Sequence, residues 1–490
     1  MKFTLAPSLE KRESADLLVL PFWEGPDEAC ELGRLKEVVR AAARSGDFQG
    51  KTGEGSLLYP VGEKEKRILL LGLGKEETVT CETIRRAYSN AVKTAFSKKA
   101  KSLNLLFPKS RSIQRDEILR GALEGLLLSN YAFNHLKGDS LKEAAPLIER
   151  ACWIGLEKRD EKEIETLRTI IGGVHFAREL VNGNADDVTP RFLADTALSL
   201  EKFSSKLKTT IYDKKWLQQQ KMGLILAVNR ASSLDPYLIQ VNYKGNPRSK
   251  ENIVLIGKGV TYDTGGLALK PPEGMLTMKS DMAGGAAVFG AIQTAAALDL
   301  KVNITALVPS VENCIDAKSY KLGDVYRSYS GKTIEVNNTD AEGRLILADT
   351  LAYAVDVLKP TRIIDLATLT GSIVVALGEE YAGLFSTDDA LSKDLLAASE
   401  TTGELLWQMP LYADYKEAFK SDIADLLNSG GREAGAIKAA LFLKEFVGSV
   451  PWAHLDIAGP AFWTKPRYYH PTKGTGFGVR LLIELLKKGG

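Results

Sequence analysis

The first group of candidate functional residues lies in a glycine-rich segment at 257–270, which directly follows an apolar run. Its charged side chains are Lys258, Asp263 and Lys270, and its glycines allow the backbone to turn tightly and approach a ligand closely. A phosphate-binding loop is one interpretation, but the Walker spacing, in which four residues separate a glycine from Gly-Lys-Ser/Thr, is absent here. A glycine-rich turn with solvated lysines is an alternative that the segment by itself leaves open.

Two further polar segments follow along the chain. Asp281 stands directly before an apolar helical pattern, a position where aspartate commonly caps a helix. Asp340, Glu342 and Arg344 are spaced two residues apart, so in an extended loop their side chains would point the same way. The alternative is an acidic first helical turn with an ion-paired arginine, an arrangement that the helix dipole favours.

Together the three polar segments offer four carboxylates, those of Asp263, Asp281, Asp340 and Glu342. Hard oxygen ligands suit Mg²⁺, Mn²⁺ and also Zn²⁺, and four negative charges would balance two divalent cations. A nearby lysine could bind one cation as a neutral amine, because the cations would depress its pKa. A second lysine and an arginine could hold an anion or a developing oxyanion. Two adjacent metal ions are a recurrent arrangement for hydrolysis, in which they activate a water molecule and polarise the scissile group.

The apolar patterns around these segments indicate a second α/β region. Continuous apolar runs, typical of buried parallel strands, lie at 252–256, 304–308, 362–367 and, more weakly, 454–458. Helical patterns lie at 282–298 and 345–358. Because open α/β sheets bind ligands beyond the carboxyl ends of their strands, the first polar segment is well placed for a site.

The first third of the chain has its own α/β pattern. Strand patterns lie at 16–21, 67–72 and 103–107, with a helical pattern at 82–96, which indicates a βαβ layout. A long helical pattern at 161–181 ends in turn residues at 182–190. We therefore expect an N-terminal α/β domain at 1–160, a connecting helix at 161–181 and a C-terminal domain at 182–490.

The net charge and the cysteine content indicate which classes of protein fit this chain. The 490 residues include 64 Lys and Arg against 62 Asp and Glu, a net charge of +2. This balance gives no support for nucleic-acid binding through bulk charge, although a local patch stays open. The four cysteines Cys30, Cys81, Cys152 and Cys314 form no CxxC pair, as expected of reduced thiols in a cytosolic protein. No signal segment or membrane span is predicted, so we expect a cytoplasmic protein without a membrane partner.

The polar segments resemble the two-metal leucine aminopeptidase family of cytosolic enzymes. The octapeptide Asn-Thr-Asp-Ala-Glu-Gly-Arg-Leu at 338–345 matches the family signature at every position. Further characteristic blocks match at 257–271, 278–282, 367–371, 430–435 and 475–480. The resemblance covers about residues 250–480, and before residue 180 it rests on layout and length alone. It implies a smaller N-terminal α/β domain and a larger C-terminal α/β catalytic domain, with a mostly parallel mixed sheet flanked by helices.

The resemblance assigns metal ligands residue by residue. Lys258, Asp263, Asp281 and Glu342 would bind one divalent ion, and Asp263, Asp340 and Glu342 would bind the other, so that Asp263 and Glu342 bridge. The two ions would be Mn²⁺ or Zn²⁺.

The same resemblance assigns the catalytic cations and the substrate contacts. Lys270 would polarise the scissile carbonyl or stabilise the tetrahedral intermediate, and Arg344 would hold a bicarbonate that serves as general base toward the attacking water. The remaining positions contact the substrate through backbone or line the pocket for its first side chain: Met278, Thr368, Leu369, Gly371, Ala458 and Ala461. An apolar pocket suits leucine or methionine and discriminates only weakly among similar apolar side chains.

The resemblance therefore predicts a homohexameric metallo-exopeptidase that releases N-terminal apolar residues from peptides. Two other functions stay open. One is a DNA-binding regulatory role of the same hexamer, with Lys98, Lys99 and Lys101 as a basic surface or, in the simpler view, a solvated loop. The other is a two-metal phosphoesterase, which the lack of histidine in the polar segments argues against.

Overall fold

The structure, a computed structural model, describes residues 1–25, 32 and 35–488. Cys30 lies outside the described residues, and Cys81, Cys152 and Cys314 are free thiols. The chain divides into two compact units, Met1–Ile171 with Lys465–Pro471, and Gly172–Thr464 with Thr472–Gly490. Each unit is an α/β fold, as the sequence predicted, whereas the domain boundaries at 160 and 182 stay a prediction.

The first unit is built on a mainly parallel sheet. Its elements are β1 (Lys2–Ala6), β2 (Leu17–Trp23), α1 (Lys36–Arg44), β3 (Gly55–Leu58), β4 (Ile68–Gly74), α2 (Cys81–Ser97), β5 (Ser102–Leu106), α3 (Arg115–Ser129) and β6 (Arg150–Ile154). Among the described residues the strand order is β1-β6-β5-β2-β4-β3, and β3 pairs antiparallel with β4. β2 and β4 are buried along their whole length, which explains their continuous apolar sequences. The predicted βαβ layout is confirmed.

The helix α4 (Glu161–Asn182) confirms the long helical pattern, and the break between the two units falls within it. The strands of the second unit are β7 (Leu207–Tyr212), β8 (Tyr237–Lys244), β9 (Ile253–Gly257), β10 (Gly259–Asp263), β11 (Asn303–Asn313), β12 (Val325–Arg327), β13 (Thr333–Glu335), β14 (Arg362–Ala367), β15 (Ala382–Ser386), β16 (Leu406–Gln408), β17 (Leu426–Leu427), β18 (Trp452–Asp456), β19 (Phe462–Trp463) and β20 (Lys473–Gly474). Its other helices are α5 (Pro190–Ser199), α6 (Lys214–Gln219), α7 (Gly223–Val228), α8 (Pro272–Met275), α9 (Ala283–Ala297), α10 (Glu342–Tyr353), α11 (Gly371–Leu377), α12 (Asp389–Thr402), α13 (Gly435–Lys444) and α14 (Val479–Lys488).

The large sheet of the second unit is mixed and mostly parallel. Its order is β16-β15-β18-β14-β9-β11-β8-β7, with β10 paired to β11. β9, β11, β14 and β18 run parallel, and antiparallel pairing occurs at β15–β18, β11–β8 and β8–β7. Val254 and Ile256 of β9 pack in one core with residues of α7, α10 and α13, while α9 contacts the same strand. The sheet is therefore flanked by helices, as predicted.

Strand register brings distant parts of the chain to one edge of this sheet. Leu366 pairs with Gly257, and Ala367 pairs with Asp456, so the carboxyl ends of β9, β14 and β18 lie side by side. The pairing of Asp263 with Asn313 adds the ends of β10 and β11. This is the edge at which parallel α/β sheets bind ligands.

Two predicted elements are shifted in the structure. The helix predicted at 345–358 begins at Glu342 and passes into a π-helical turn at 354–358. Its first turn is polar but buried, so the apolar pattern could not reveal it. The weak strand predicted at 454–458 lies at Trp452–Asp456. Of the two interpretations of this segment, the extended loop is wrong, because Asp340 is in a turn. The acidic first helical turn is confirmed for Glu342, which starts α10.

The predicted helix at 282–298 is confirmed as α9, which has 15 residues. Across the described part of the chain, no helix combines the length and apolar character needed to cross a membrane.

Candidate metal centre

Lys258 and Asp281 meet because the end of β9 and the start of α9 approach very closely. A Cβ atom on Gly257 would lie 2.5 Å from the Gly284 carbonyl oxygen, so a side chain there would force the two segments apart. The backbone of Lys258 donates to the Leu366 carbonyl at 3.0 Å and so extends the β9–β14 pairing by one residue. These contacts direct the lysine to the carboxyl edge of the sheet.

Asp281 does not cap α9. The residue at the N-cap position is Met282, which makes no side-chain capping hydrogen bond. The Asp281 carboxylate instead accepts a hydrogen bond from the Thr368 hydroxyl at 2.7 Å. The capping alternative is therefore wrong, and the side chain faces the loop that follows β14.

Thr339 ties the glycine-rich segment to the octapeptide loop. Its hydroxyl donates to the Gly265 carbonyl at 2.7 Å and accepts from the Ala268 amide at 2.7 Å. Gly265 has φ +85, a conformation that glycine adopts without strain. These bonds fix the segment that carries Asp263 and Lys270 against the loop that carries Asp340.

Two buried side chains that sequence reasoning missed support the same junction. Asn313 donates to Asp263 Oδ1 at 2.8 Å and to the Thr339 carbonyl at 3.1 Å. The Tyr320 hydroxyl donates to that same carbonyl at 2.6 Å. The strand predicted at 304–308 ends before Asn313, which is the last residue of the strand in the structure. Neither Asn313 nor Tyr320 therefore had a signal in the sequence.

The carboxylates form a compact cluster. Asp263, Asp340 and Glu342 each offer an oxygen within 4.8 Å of the others, and Asp263 and Glu342 are buried. Burial raises the pKa of Asp340 and Glu342 above their ordinary values, although the nearby lysines oppose this shift. Burial likewise raises the pKa of Asp281 despite the charge of Lys258.

Lys258 is enclosed by acceptors. Its Nζ lies 2.9 Å from Asp281 Oδ2 and 2.8 Å from Glu342 Oε1, and it donates to the Thr368 carbonyl at 2.9 Å. Burial by itself would lower the pKa of Lys258, but the charges of Asp281 and Glu342 outweigh burial and raise it. The alternative of a solvated lysine is therefore wrong at this position.

Lys270 makes the complementary pair of contacts. Its Nζ lies 2.9 Å from Asp263 Oδ2 and 2.5 Å from Asp340 Oδ1. Burial acts to lower the pKa of Lys270, but the surrounding carboxylates, with Asp263 the strongest, raise it. This lysine too is paired rather than solvated.

The donor set fits divalent metal ions. Glu342 Oε2 is buried and has no hydrogen-bond partner among the residues described, so its lone pairs are unused. Asp281 Oδ2 and Asp340 Oδ1 lie near lysine ammonium groups without hydrogen-bond geometry. Buried carboxylates with unsatisfied oxygens, partly balanced by two ammonium groups, are what a site for hard cations requires when the cations are absent.

Arg344 differs from the lysines because no carboxylate pairs with it. Its Nη1 donates to the Asn428 carbonyl at 3.0 Å, and within the described structure Nε has no partner and no acidic group lies within ion-pair distance. Burial lowers the pKa of Arg344 to about 10. The ion-paired alternative is therefore wrong, and a buried, largely unpaired guanidinium is suited to holding an anion.

Most of the predicted substrate contacts follow β14 or β18 in the chain, next to the metal centre. Asp456, at the end of β18, accepts from the Leu369 amide at 3.1 Å and from the Ala458 amide at 3.3 Å. It also accepts from the Thr370 hydroxyl at 2.7 Å. Asp456 thus joins the two loops. The sequence predicted a strand at 454–458, with Asp456 in its middle, so only the structure shows that Asp456 ends the strand.

The other predicted contacts are placed as follows. Thr368 links to the centre through its bonds to Asp281 and Lys258. Gly371 begins α11, and Met278 begins the short helical turn that leads to Asp281. Ala461 is buried beyond β18.

Comparison with known proteins gives the family. Residues 175–483 match the model of the cytosol aminopeptidase family catalytic domain, and residues 19–140 match the model of its N-terminal domain. A probable cytosol aminopeptidase of Protochlamydia amoebophila is 51% identical, covering 100% of this chain and 99% of its own length. A probable cytosol aminopeptidase of Chlamydia felis is 46% identical, covering 98% and 97%.

Solved structures agree with the sequence matches. A variant of tomato leucine aminopeptidase has a TM-score of 0.88 at 32% identity and covers 100% of this chain and 96% of its own. The bottromycin maturation enzyme BotP in complex with Mn has a TM-score of 0.87 at 32% identity, covering 97% and 99%. The resemblance predicted from the polar segments is confirmed: this chain belongs to the cytosol aminopeptidase family and is a peptidase hydrolase.

Proposed function

We propose that the protein is an aminopeptidase that uses two divalent metal ions to release leucine and other apolar residues from the N-termini of peptides. Membership of the family implies metal-dependent N-terminal aminopeptidase activity. The observation that carries the finer proposal is the convergence of Asp263, Asp340 and Glu342 within 4.8 Å, with Asp281 and Lys258 beside them.

The proposed ligands divide as the resemblance implies. Lys258, Asp263, Asp281 and Glu342 would hold one ion, and Asp263, Asp340 and Glu342 would hold the second. When bound, the two ions would supply an activated water and polarise the scissile carbonyl. Mn²⁺ and Zn²⁺ are the proposed metals, and the Mn in the complex of a structural relative supports Mn²⁺.

Lys270 is proposed to act on the scissile carbonyl. The carboxylates around it raise its pKa, so it is a cation at neutral pH. A cation held in a largely buried position costs little reorganisation when it stabilises charge that develops on a carbonyl oxygen. Lys270 would therefore donate a hydrogen bond that strengthens as the substrate approaches the transition state.

Arg344 is proposed to hold a bicarbonate ion, which would supply a general base to the site. The support is that the buried guanidinium has no carboxylate partner among the described residues. Its planar fork can bind a small oxyanion through two parallel hydrogen bonds. This role would explain why the polar segments contain neither a histidine nor a further glutamate that could serve as base.

Met278, Thr368, Leu369, Gly371, Ala458 and Ala461 are proposed to contact the substrate. The hydrogen bonds of Asp456 hold Leu369 and Ala458 together, which supports a shared pocket. Small and apolar side chains would favour apolar N-terminal residues. A cytoplasmic homohexamer is proposed from the resemblance, and sedimentation should then give six times the 53.4-kDa chain mass.

The test is hydrolysis of leucine-p-nitroanilide by metal-stripped protein, with Mn²⁺, Zn²⁺, Mg²⁺ or no metal returned. Asp340→Asn and Glu342→Gln should lose activity and bind less metal, as measured by elemental analysis of dialysed protein. Asp356→Asn is the matched control, because Asp356 is an exposed aspartate in the same unit. Normal turnover and metal content in either site variant would show that the ligand assignment is wrong.

The DNA-binding and phosphoesterase alternatives stay predictions. Lys98 and Lys99 are exposed just beyond α2, and Lys101 pairs with Glu149 at 3.4 Å, an arrangement typical of a solvated turn. Salt-dependent DNA binding that is lost in the triple alanine variant of these lysines would support the DNA role.

A further inference from the structure

We infer that Asn428 is a positioning residue that sets the orientation of the Arg344 guanidinium relative to the loop of Asp340. This inference rests on the proposed catalytic role of Arg344. Asn428 follows β17 directly and is fully buried. Neither the metal-ligand assignment nor the substrate contacts include it.

The backbone of Asn428 makes two hydrogen bonds, one to a neighbouring strand and one to Arg344. Its amide donates to the Glu335 carbonyl at 3.0 Å, which continues the β13–β17 pairing. Its own carbonyl accepts from Arg344 Nη1 at 3.0 Å. The orientation of this peptide group therefore decides where the guanidinium is held.

The side chain of Asn428 fixes the octapeptide loop to the same peptide. Oδ1 accepts from the amides of Asn337 and Asn338 at 2.9 and 3.2 Å, and Nδ2 donates to the Asn338 carbonyl at 2.7 Å. Asn338 Oδ1 in turn accepts from the Asp340 amide at 2.9 Å. One residue thus links the loop of a proposed metal ligand to a proposed catalytic cation.

Arg344 has few other restraints on its charged end. Nε has no hydrogen-bond partner within the described part of the chain, and no carboxylate orients the guanidinium. Removing the side-chain amide of Asn428 would break its three hydrogen bonds to the backbone of Asn337 and Asn338. The octapeptide loop would then be free to shift relative to the peptide group of residue 428. The guanidinium would then move from its place, and small displacements of catalytic groups reduce turnover strongly.

The test is a double-mutant cycle of Asn428→Ala and Arg344→Ala. With metal in excess, Asn428→Ala should lower kcat about 10- to 100-fold, the usual effect of removing a supporting partner, with KM unchanged. In the Arg344→Ala background the same change should have no further effect on kcat, because the two residues act as a unit. A crystal structure of the single variant should show the guanidinium displaced from the carbonyl of residue 428.

The control is Asn130→Ala. Asn130 is also buried and bonds to the amide and the carbonyl of Ile148 at 2.8 and 3.0 Å, in the other unit. It should lower the unfolding temperature without changing kcat. If Asn428→Ala does not fold, Asn428→Asp takes its place. This variant keeps the acceptor for the amides of Asn337 and Asn338 but sets a carboxylate oxygen against the Asn338 carbonyl, so kcat should fall to a comparable extent.

The outcomes separate the inference from the proposed function. Additive losses in the cycle, or an undisplaced guanidinium, overturn the role of Asn428 while leaving Arg344 in place. Near-normal activity of Arg344→Ala alone would instead overturn the proposed role of Arg344, and the inference with it.

Discussion

At the scale of single residues, the main feature of the metal centre is an excess of buried negative charge. Four carboxylates, those of Asp263, Asp281, Asp340 and Glu342, face only two ammonium groups, those of Lys258 and Lys270. Burying like charges is costly unless cations compensate them. The raised pKa values of Asp281 and Glu342, and of both lysines, are consequences of this excess of buried negative charge. Binding of further cations would therefore lower the free energy of the site.

Lys270→Met should separate catalysis from metal binding. Because Lys270 is not among the proposed ligands, the variant should retain its metal while kcat falls about 10²- to 10³-fold, the usual loss for one transition-state donor. Steady-state kinetics and elemental analysis check this. Lys332→Met is the control, since Lys332 pairs with Glu445 at 3.0 Å elsewhere in the same unit, and it should leave kcat unchanged. A fall in metal content that accounts for the lost activity would contradict the catalytic role.

At the scale of elements, the first turn of α10 and the end of β9 have almost no space between them. A Cβ atom on Gly343 would lie 2.7 Å from both Nζ and Cε of Lys258. Gly343 is buried in the first turn of α10, between the ligand candidate Glu342 and Arg344. Because Gly343 has no side chain, Lys258 can pass against the helix backbone and reach both Asp281 and Glu342.

Gly343→Ala should damage the site without damaging the helix. Alanine favours helix over glycine by about 0.5–1 kcal/mol, but its methyl group would displace Lys258. Activity should fall about 10²-fold, as for a catalytic group misplaced by about 1 Å. Gly172→Ala in α4 is the control, because a Cβ there meets nothing within 4 Å; it should keep full activity. Equal activities of the two variants would show that the close approach is not needed.

Asp349 connects α10 to two neighbouring elements. Its carboxylate accepts from the amides of Leu224 and Ile225 at the start of α7, and from the amide of Tyr329. Burial raises the pKa of Asp349 to about 7 from an ordinary value of 3.8, although these bonds act in the opposite direction. Between these two pH values the folded protein retains a proton that the unfolded chain has lost. The contribution of Asp349 to the free energy of unfolding therefore decreases as pH rises from about 4 to about 7.

Asp349→Asn should remove this pH dependence. The variant loses stability through its altered hydrogen bonds at every pH. The difference in free energy of unfolding between the natural chain and the variant should become smaller as pH rises from about 4 to about 7. Thermal unfolding midpoints across this range measure the difference. Thr189→Ala is the control, because the Thr189 hydroxyl caps α5 and does not titrate in this range. A constant difference for Asp349→Asn would mean that its pKa is not raised.

At the scale of the whole molecule, the site exists only when the catalytic unit is assembled. About 200 residues of chain separate Lys258 from Asp456, and Thr368 lies between them. Parallel pairing nevertheless brings the ends of β9, β14 and β18 together. The unfolded chain cannot present these groups in one place. Metal that binds the folded protein alone must therefore stabilise it.

Adding metal to metal-stripped protein should raise its unfolding temperature. At a metal concentration about 100-fold above Kd the gain is about 2.7 kcal/mol for one site. Scanning fluorimetry over a Mn²⁺ or Zn²⁺ titration measures it. Asp340→Asn should show a smaller shift, and Asp356→Asn should match the natural chain. A natural chain whose midpoint does not respond to any of these metals would contradict the proposed centre.

The sequence by itself predicted the central strands of both sheets, several of the helices that flank them, and the candidate residues of the centre. Continuous apolar runs predicted β2, β4, β5, β9, β11 and β14, because strands buried on both faces admit few polar residues. The octapeptide at 338–345 and its companion blocks predicted the family, which the comparisons confirm. The proposed roles of the residues within those blocks remain to be tested.

Only the tertiary structure decided how those residues are held. The first turn of α10 is polar and buried, so no apolar pattern marked its start at Glu342. Asn313, Asn428 and Asp456 act through hydrogen bonds to loops that are distant in the chain, and single-residue chemistry does not reveal such partners. The pairing of both lysines also depends on which carboxylates the fold brings near them. Sequence patterns encode burial and local conformation, whereas the satisfaction of buried polar groups is a property of the assembled unit.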